Sequence, residues 1–256
     1  MLEKNEKKLY FDAHFHYFDC VNKQSFDILD NWYGCSCAHS IEEWNIQEKA
    51  EKSITQSFGI HPQFVNNNLD KNFMLDFLEN LIKQKRICCV GEAGFDFYTD
   101  EYKKFSELQE IIFNEQLELC IKYNLPMVIH CRKANEKLFE YSAKIKKLPA
   151  VLFHSFMGTP GEALSLIRRD INGMFSFGKQ IMNGNKKTVS CVIELPLENL
   201  LLETDAPFQF LIGENKTVTS DIIKIYSEAI NLRNIQHSED FYLQIKKNYS
   251  NMFNKY

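Results

Sequence analysis

Two histidines stand one residue apart in Asp12-Ala13-His14-Phe15-His16, at the end of an apolar run. Residues i and i+2 of a strand point to the same face, so this spacing lets both imidazoles hold one ion. His61, Glu92, His130, His154 and Asp205 each follow a short apolar run of their own. Examples are Gly59-Ile60-His61-Pro62, Val90-Gly91-Glu92-Ala93-Gly94 and Leu202-Glu203-Thr204-Asp205-Ala206-Pro207. A single residue of this kind is more often a hydrogen-bonded core group than a ligand. Five of the seven histidines plus two carboxylates, at the ends of six different runs, form a pattern that points to metal binding. Imidazole with carboxylate suits Zn, Mn, Fe or Ni, with Mg or Ca less favoured. His39 and His237 fall in helical or loop contexts and receive no role. Cys35-Ser36-Cys37 would need further ligands nearby to hold a metal, and strand packing is the simpler reading.

The elements that must position these residues are readable from periodicity. Strand-like apolar runs cover 9–13, 33–38, 57–60, 87–91, 126–129, 150–153, 174–177 and 200–202. Helical patterns lie between them at 42–53, 73–84, 107–123, 162–169, 186–193 and 220–231. In 73–84, for example, Phe73, Phe77, Leu78, Leu81 and Ile82 recur at helical spacing. Strands alternating with helices predict parallel βα units. At 256 residues they predict an α/β fold, a closed (β/α)8 TIM barrel forming a single domain over 1–256. The competing architecture is an open doubly wound sheet, but no Gly-rich phosphate fingerprint follows the first run. A barrel builds its active site at the C-terminal ends of its strands, which is where the metal-capable residues fall.

Composition limits the function classes. The chain is 45% apolar and 25% charged, with a formal net charge of −4. That excludes a polybasic nucleic-acid coat protein, though not an enzyme that meets nucleic acid at one local site. No apolar run approaches the roughly 18 residues of a membrane span, so no membrane association is expected. Residues 1–8 are charged and lack the apolar stretch of a secretory signal. The eight cysteines lie largely in apolar runs and do not read as a disulfide framework. Reduced thiols and a cytoplasmic location are the expectation. No protein partner is indicated, and a monomer is expected.

The chain resembles the TatD family of metal-dependent deoxyribonucleases, within the amidohydrolase-like barrels. The resemblance is carried, in order, by Asp12-Ala13-His14-Phe15-His16, Gly59-Ile60-His61-Pro62 and Gly91-Glu92-Ala93-Gly94-Phe95-Asp96-Phe97-Tyr98. Gln109, Phe113 and Gln116-Leu117 follow, then Leu125-Pro126 with His130-Cys131-Arg132 and Phe153-His154-Ser155-Phe156. Pro196-Leu197-Glu198, Leu202 through Pro207, and 248–253 complete it.

The resemblance implies a hydrolase with two divalent ions, Zn, Mn or Mg. It implies that His14, His16 and Asp205 hold one ion, that His130 and His154 hold the other, and that Glu92 bridges them. Glu92 then takes the place that a modified lysine fills in related barrels. Two such ions against Glu92, Asp205 and a bridging hydroxide leave a local charge of about +1, which suits one phosphodiester anion. The implied substrate is DNA, as a single strand or strand end. Asp205 would orient a metal-activated water and accept its proton. His61 is expected to donate to a phosphate or to the leaving oxygen. Arg132, two residues past His130, is expected to face the same side and grip a phosphate oxygen, with a surface ion pair as its plainer role. Asp12 is expected to be an outer partner of a ligand or a barrel-floor residue, and not a ligand itself.

Two departures from the family pattern lie near the substrate mouth. The loop 208–220 is short and carries Thr219-Ser220-Asp221 where the family has Asn-Glu-Pro. Ser106 stands where the family has an Arg. The segment 20–32 carries little of the pattern. Tyr17, Phe18, Phe97, Tyr98, Phe156 and Phe208 flank the ligand motifs. Each either stacks a base, for about 1–3 kcal/mol, or packs beneath the loops. A small-molecule hydrolase acting on an ester, amide or lactone would use the same ligands. A non-catalytic binding module on this scaffold is disfavoured by the complete ligand set.

Overall fold

Along the first strand, Asp12 and His14 share one face while Phe11, Ala13 and Phe15 share the other, and all five are fully buried. The alternation fits a strand enclosed on both sides, with polar groups facing a barrel interior and apolar groups facing a helical layer. A computed structural model describes residues 8–27 and 29–253. The charged stretch 1–7, on which the expectation about a secretory signal rests, lies outside the described residues.

Eight strands form one sheet: β1 (Tyr10–Phe15), β2 (Trp32–Ala38), β3 (Ile54–Phe58), β4 (Cys89–Asp96), β5 (Met127–Arg132), β6 (Val151–Phe153), β7 (Gly173–Phe177) and β8 (Leu200–Leu202). They lie in chain order, and each pairs with the next in parallel. The intervening helices include α1 (Tyr17–Asn22), α2 (Ile41–Gln47), α3 (Lys71–Lys83), α4 (Asp100–Lys103), α5 (Ser106–Tyr123), α6 (Asn135–Glu140) and α7 (Ser142–Ile145). They continue with α8 (Pro160–Ile167), α9 (Lys186–Glu194), α10 (Ile222–Leu232) and α11 (Ser238–Phe253). This is the predicted (β/α)8 barrel. No described helix is long and apolar enough to cross a membrane. All eight cysteines are free thiols, and Cys35 and Cys37 are buried in β2.

Several boundaries differ from the sequence reading, three of them notably. The helix predicted over 42–53 ends at Gln47, and 48–53 turn instead, with the Lys49 and Ala50 N–H groups donating to the Ile46 and Gln47 carbonyls before β3 begins at Ile54. Strand β3 correspondingly ends at Phe58 rather than Ile60. Glu92 lies inside β4 rather than after it.

The barrel closes between β1 and β8 through a seam of specific polar contacts. The Asp205 N–H donates to the His14 carbonyl at 3.0 Å, and the His16 N–H donates to the Ala206 carbonyl at 2.9 Å. Below them, the buried Asp12 carboxylate accepts from the Thr204 N–H at 2.8 Å and from the Thr204 hydroxyl at 2.6 Å. Burial raises the Asp12 carboxyl to about 7, and these two bonds work against that rise. At the other end of the barrel, Asn248 of α11 donates to the carbonyls of Leu197 and Leu200, and the Tyr249 hydroxyl donates to Thr55.

Thr204→Val keeps the side-chain volume but deletes the hydroxyl that meets Asp12 and accepts from the Ala206 N–H. It should cost about 1–3 kcal/mol of stability, spanning hydrogen bonds to neutral and to charged partners, since Asp12 titrates near 7. Urea denaturation would read this as a lower midpoint at unchanged slope.

Candidate metal centre

The centre is assembled around Glu92. The pairing of β4 with β5 shifts register between Val90 and Ala93, and Glu92 sits inside that irregularity. Gly94 follows because a Cβ there would collide with the carbonyl oxygen of His130. The glycine lets β4 lie close against the strand that carries His130.

The Glu92 carboxylate is 1% exposed and is ringed by six imidazoles. Its Oε1 lies 3.0 Å from His14 Nε2, 3.4 Å from His16 Nε2 and 3.3 Å from His39 Nε2. Its Oε2 lies 2.7 Å from His154 Nε2, 3.3 Å from His130 Nδ1 and 3.4 Å from His61 Nε2. Asp205 joins on the first side, with Oδ1 3.2 Å from His16 Nε2 and 3.5 Å from His14 Nε2. Asp205 turns off β8 at a left-handed φ of 51°. That conformation is uncommon for a residue other than glycine, though Asp tolerates it better than most.

Outer contacts orient the rings. His130 Nε2 donates to Asp96 at 3.1 Å, and Gln63 also donates to Asp96. A carboxylate accepts only, so His130 carries its proton on Nε2 and presents a bare Nδ1 to the centre. His14 Nδ1 lies 3.5 Å from the thiol of Cys37, and His154 Nδ1 faces Glu203 at 3.8 Å. The second oxygen of Asp205 accepts from Gln209 at 2.7 Å.

These groups fit a divalent cation. Imidazole nitrogens converge pairwise, His14 on His16 at 3.2 Å and His130 on His154 at 3.1 Å. Glu92 Oε1 is buried without a hydrogen bond among the described residues. Ligand atoms of His14, His16 and Asp205 lie within 4.8 Å of one another. The same holds for His14, Glu92 and His154, for His16, His39 and Glu92, and for His61, Glu92 and His130. Without a metal, protons supply the positive charge. Burial opposes a charge on His14 and His154, but Glu92 outweighs it. It raises His14 well above the ordinary histidine value and His154 to about 10. His61 moves the other way, to about 3, through burial and the neighbouring His130 and His39. Burial works against ionising Glu92 and Asp205, yet the imidazoles hold Glu92 well below the usual carboxylate range and Asp205 below it too.

Every site residue singled out from the sequence reaches this centre or its rim. A cavity of about 520 Å³ opens over it, lined by His16, His61, Glu92, His130, Arg132, His154 and Asp205. His14 lies fully buried beneath. Arg132 is at the rim, its guanidinium 3.5 Å from the centre of the Tyr98 ring. The Asp12 carboxylate bonds Thr204 on the barrel floor, beneath the centre.

Sequence reasoning missed His39, which was given no role and yet faces Glu92. It is the first residue after β2, so the strand-end argument applied to His61 could have found it. It also missed Gln209, whose contact with Asp205 follows no spacing rule. Among the flanking aromatics, Phe156 is buried in the core and Phe208 lines the mouth. Phe64, Met157 and Phe210 join Phe208 there, all substantially exposed.

A family model described as "TatD related DNase" matches residues 11–254. The chain belongs to the TatD family. It is 30% identical over 216 residues to an uncharacterized metal-dependent hydrolase of Mycoplasma genitalium, covering 78% of this chain and 81% of that one. It is 27% identical over 185 residues to a protein of Pantoea ananatis named a 3'-5' ssDNA/RNA exonuclease TatD, covering 68% and 66%. The solved structure of the TatD homologue YjjV of Escherichia coli superposes with a TM-score of 0.84 at 22% identity, over 96% of this chain and 98% of that one. A dihydroorotase of Campylobacter jejuni shares the fold at a TM-score of 0.62 and 11% identity, over 97% and 84%. The TatD chain described here is thus a metal-dependent hydrolase of its family.

Proton competition gives this TatD protein a pH signature. His14 and His154 have raised proton affinity in the metal-free protein, and ligation requires them neutral. Metal affinity should therefore rise with pH from 6 toward 10, with protons released on binding. Calorimetric titration of zinc in buffers of different ionisation enthalpy should show that release, and it should shrink as pH increases.

Proposed function

We propose that this protein hydrolyses phosphodiester bonds of DNA, in single strands or at strand ends, using two divalent cations. The observation that supports this reading is the division of six imidazoles between the two oxygens of Glu92, with Asp205 on one side. His14, His16 and Asp205 would hold one cation, His130 and His154 the other, and Glu92 would join them. When bound, the cations supply Lewis acidity toward the phosphoryl oxygens and lower the pKa of a water toward neutrality.

The chain's own groups do the rest. Asp205 orients the attacking water and accepts its proton. It is ionised for that task, and Gln209 fixes the second oxygen. His61 remains neutral, and its Nδ1 accepts from the Gln63 N–H at 3.2 Å. The proton therefore sits on Nε2, which can donate to a phosphoryl oxygen or to the leaving oxygen. Arg132 lies over the Tyr98 ring at the mouth, a contact that pre-orients its fork for a phosphate oxygen. The exposed Phe64, Phe208 and Phe210 offer apolar faces for unstacked bases.

The Pantoea ananatis relative, named a 3'-5' ssDNA/RNA exonuclease, supports a single-stranded nucleic-acid substrate. A cavity of about 520 Å³ suits a few nucleotides, not a duplex footprint. The many imidazoles favour Zn or Mn over Mg. We read residues 1–256 as one monomeric catalytic unit. The eight free thiols fit a reducing, cytoplasmic setting.

Asp205→Asn should stay folded and bind metal while losing about 10²–10⁴-fold in turnover, the range for a positioned proton acceptor. Glu92→Ala should lose both ions, measured by elemental analysis of the dialysed protein. A labelled single-stranded oligonucleotide should be shortened in the presence of Zn or Mn. Intact oligonucleotide with Zn, Mn and Mg all tried, beside hydrolysis of a lactone or ester, would transfer the same centre to a small-molecule substrate.

A further inference from the structure

His39 has no place in the ligand set that the family resemblance implies. It stands one residue past β2 and is 7% exposed. Its backbone N–H donates to Glu43 at 2.7 Å, which holds it against the start of α2. Its Nδ1 lies 3.3 Å from the carbonyl oxygen of Gly59. A carbonyl oxygen can only accept, so Nδ1 carries the proton and the neutral ring has a bare lone pair on Nε2. That nitrogen points at Glu92 Oε1, 3.3 Å away. Both atoms are buried without a hydrogen bond among the described residues. Two such acceptors facing each other on the cavity floor repel unless a positive charge, a proton or a cation, lies between them.

His61 is the opposite case. Its Nδ1 accepts a backbone N–H, so its Nε2 is protonated and donates toward Glu92 Oε2. The two rings sit side by side, 5.0 Å between centres, and flank the same carboxylate. They differ in which nitrogen is bare.

We propose that His39 is a metal ligand, through Nε2, of the cation on the Oε1 side of Glu92, alongside His16. The inference rests on the metal-centre reading above. Ligand atoms of His16, His39 and Glu92 lie within 4.8 Å of one another. Nitrogens bound about 2.0–2.1 Å from one zinc are about 3–4 Å apart, so a small side-chain shift completes the contact. An added imidazole makes that position richer in nitrogen. It therefore raises selectivity for zinc-class ions over magnesium, which prefers an all-oxygen shell. His61 is left as a hydrogen-bond donor and not a ligand.

Wild-type protein labelled with 15N-histidine tests this directly, by long-range proton–nitrogen spectra before and after one and two equivalents of zinc. His39 should show a protonated Nδ1 and a zinc-shifted Nε2. His61 should show a bare Nδ1 and a protonated Nε2 that zinc does not replace. In parallel, His39→Ala should weaken one zinc site by at least about tenfold, the lower end of what loss of even an outer-sphere partner costs. It should also change the visible absorption of the cobalt-substituted protein. His61→Ala removes only a donor to Glu92, so it should leave the cobalt spectrum as in wild type whatever it costs in affinity. If wild type binds no zinc, the metal-centre reading itself fails. If wild type binds zinc but His39 Nε2 does not shift, and His39→Ala keeps wild-type affinity and cobalt spectrum, only the role of His39 is overturned.

Discussion

A buried carboxylate with both oxygens facing imidazole nitrogens is the constraint on which this structure is built. Removing Glu92 from water costs several kcal/mol unless positive charge compensates it. The compensation comes from side chains contributed by β1, β2, β3, β5 and β6, or by the residues just past their ends. Those residues are scattered from His14 to His154 along the chain. They meet at one carboxylate only if the strands are parallel, closed around a common axis and ended at a common height. The barrel supplies that geometry, and the glycines beside Glu92 let β4 run close enough to its neighbour to place it there.

Barrel closure and the metal centre are one construction. The seam between β1 and β8 is drawn together by main-chain bonds of Asp205 and His16, two residues that also face the centre. Asp12 and Thr204 extend the seam one layer deeper. A change that loosens the seam therefore shifts Asp205 relative to His14 and His16, so stability and site geometry are coupled through the same few contacts. Asp96, Glu203, Cys37 and Gly59 act from outside the ring of imidazoles. Each faces an outer ring nitrogen, and so bears on which inner nitrogen is free to accept a cation.

The mouth obeys different rules from the floor. The ligand-bearing positions are tied to strands and are buried, whereas the rim is made of loop residues with exposed aromatic faces. The loop 208–220 departs from the family pattern, and it reaches the site through Gln209 and Phe208. Buried Lys179 secures that loop, meeting Glu214 at 2.5 Å and Asp221 at 2.7 Å. Reaction type follows from the centre and substrate choice from the rim, because only the rim touches what surrounds the scissile bond.

Short apolar runs alternating with helical patterns made the eight strands legible. The placement of His14, His16, His130, His154 and Asp205 at the C-terminal ends of those strands was legible too, because side-chain facing on a strand is a two-residue rule. Boundaries such as the end of α2 were not, since the polar residues 48–53 suit a helix or a turn equally. His39 shows the deeper limit. Its position beside a strand end was readable, but its chemistry depends on the Gly59 carbonyl, twenty residues away, which assigns the proton to one ring nitrogen. Gln209 likewise acquires its role only when its loop folds back onto Asp205. The residue types and their period thus determined the barrel and most of its metal-capable set, His39 excepted, from sequence alone. Tertiary structure decided the proton positions, the outer partners and the shape of the mouth, because those depend on contacts between segments that no local pattern links.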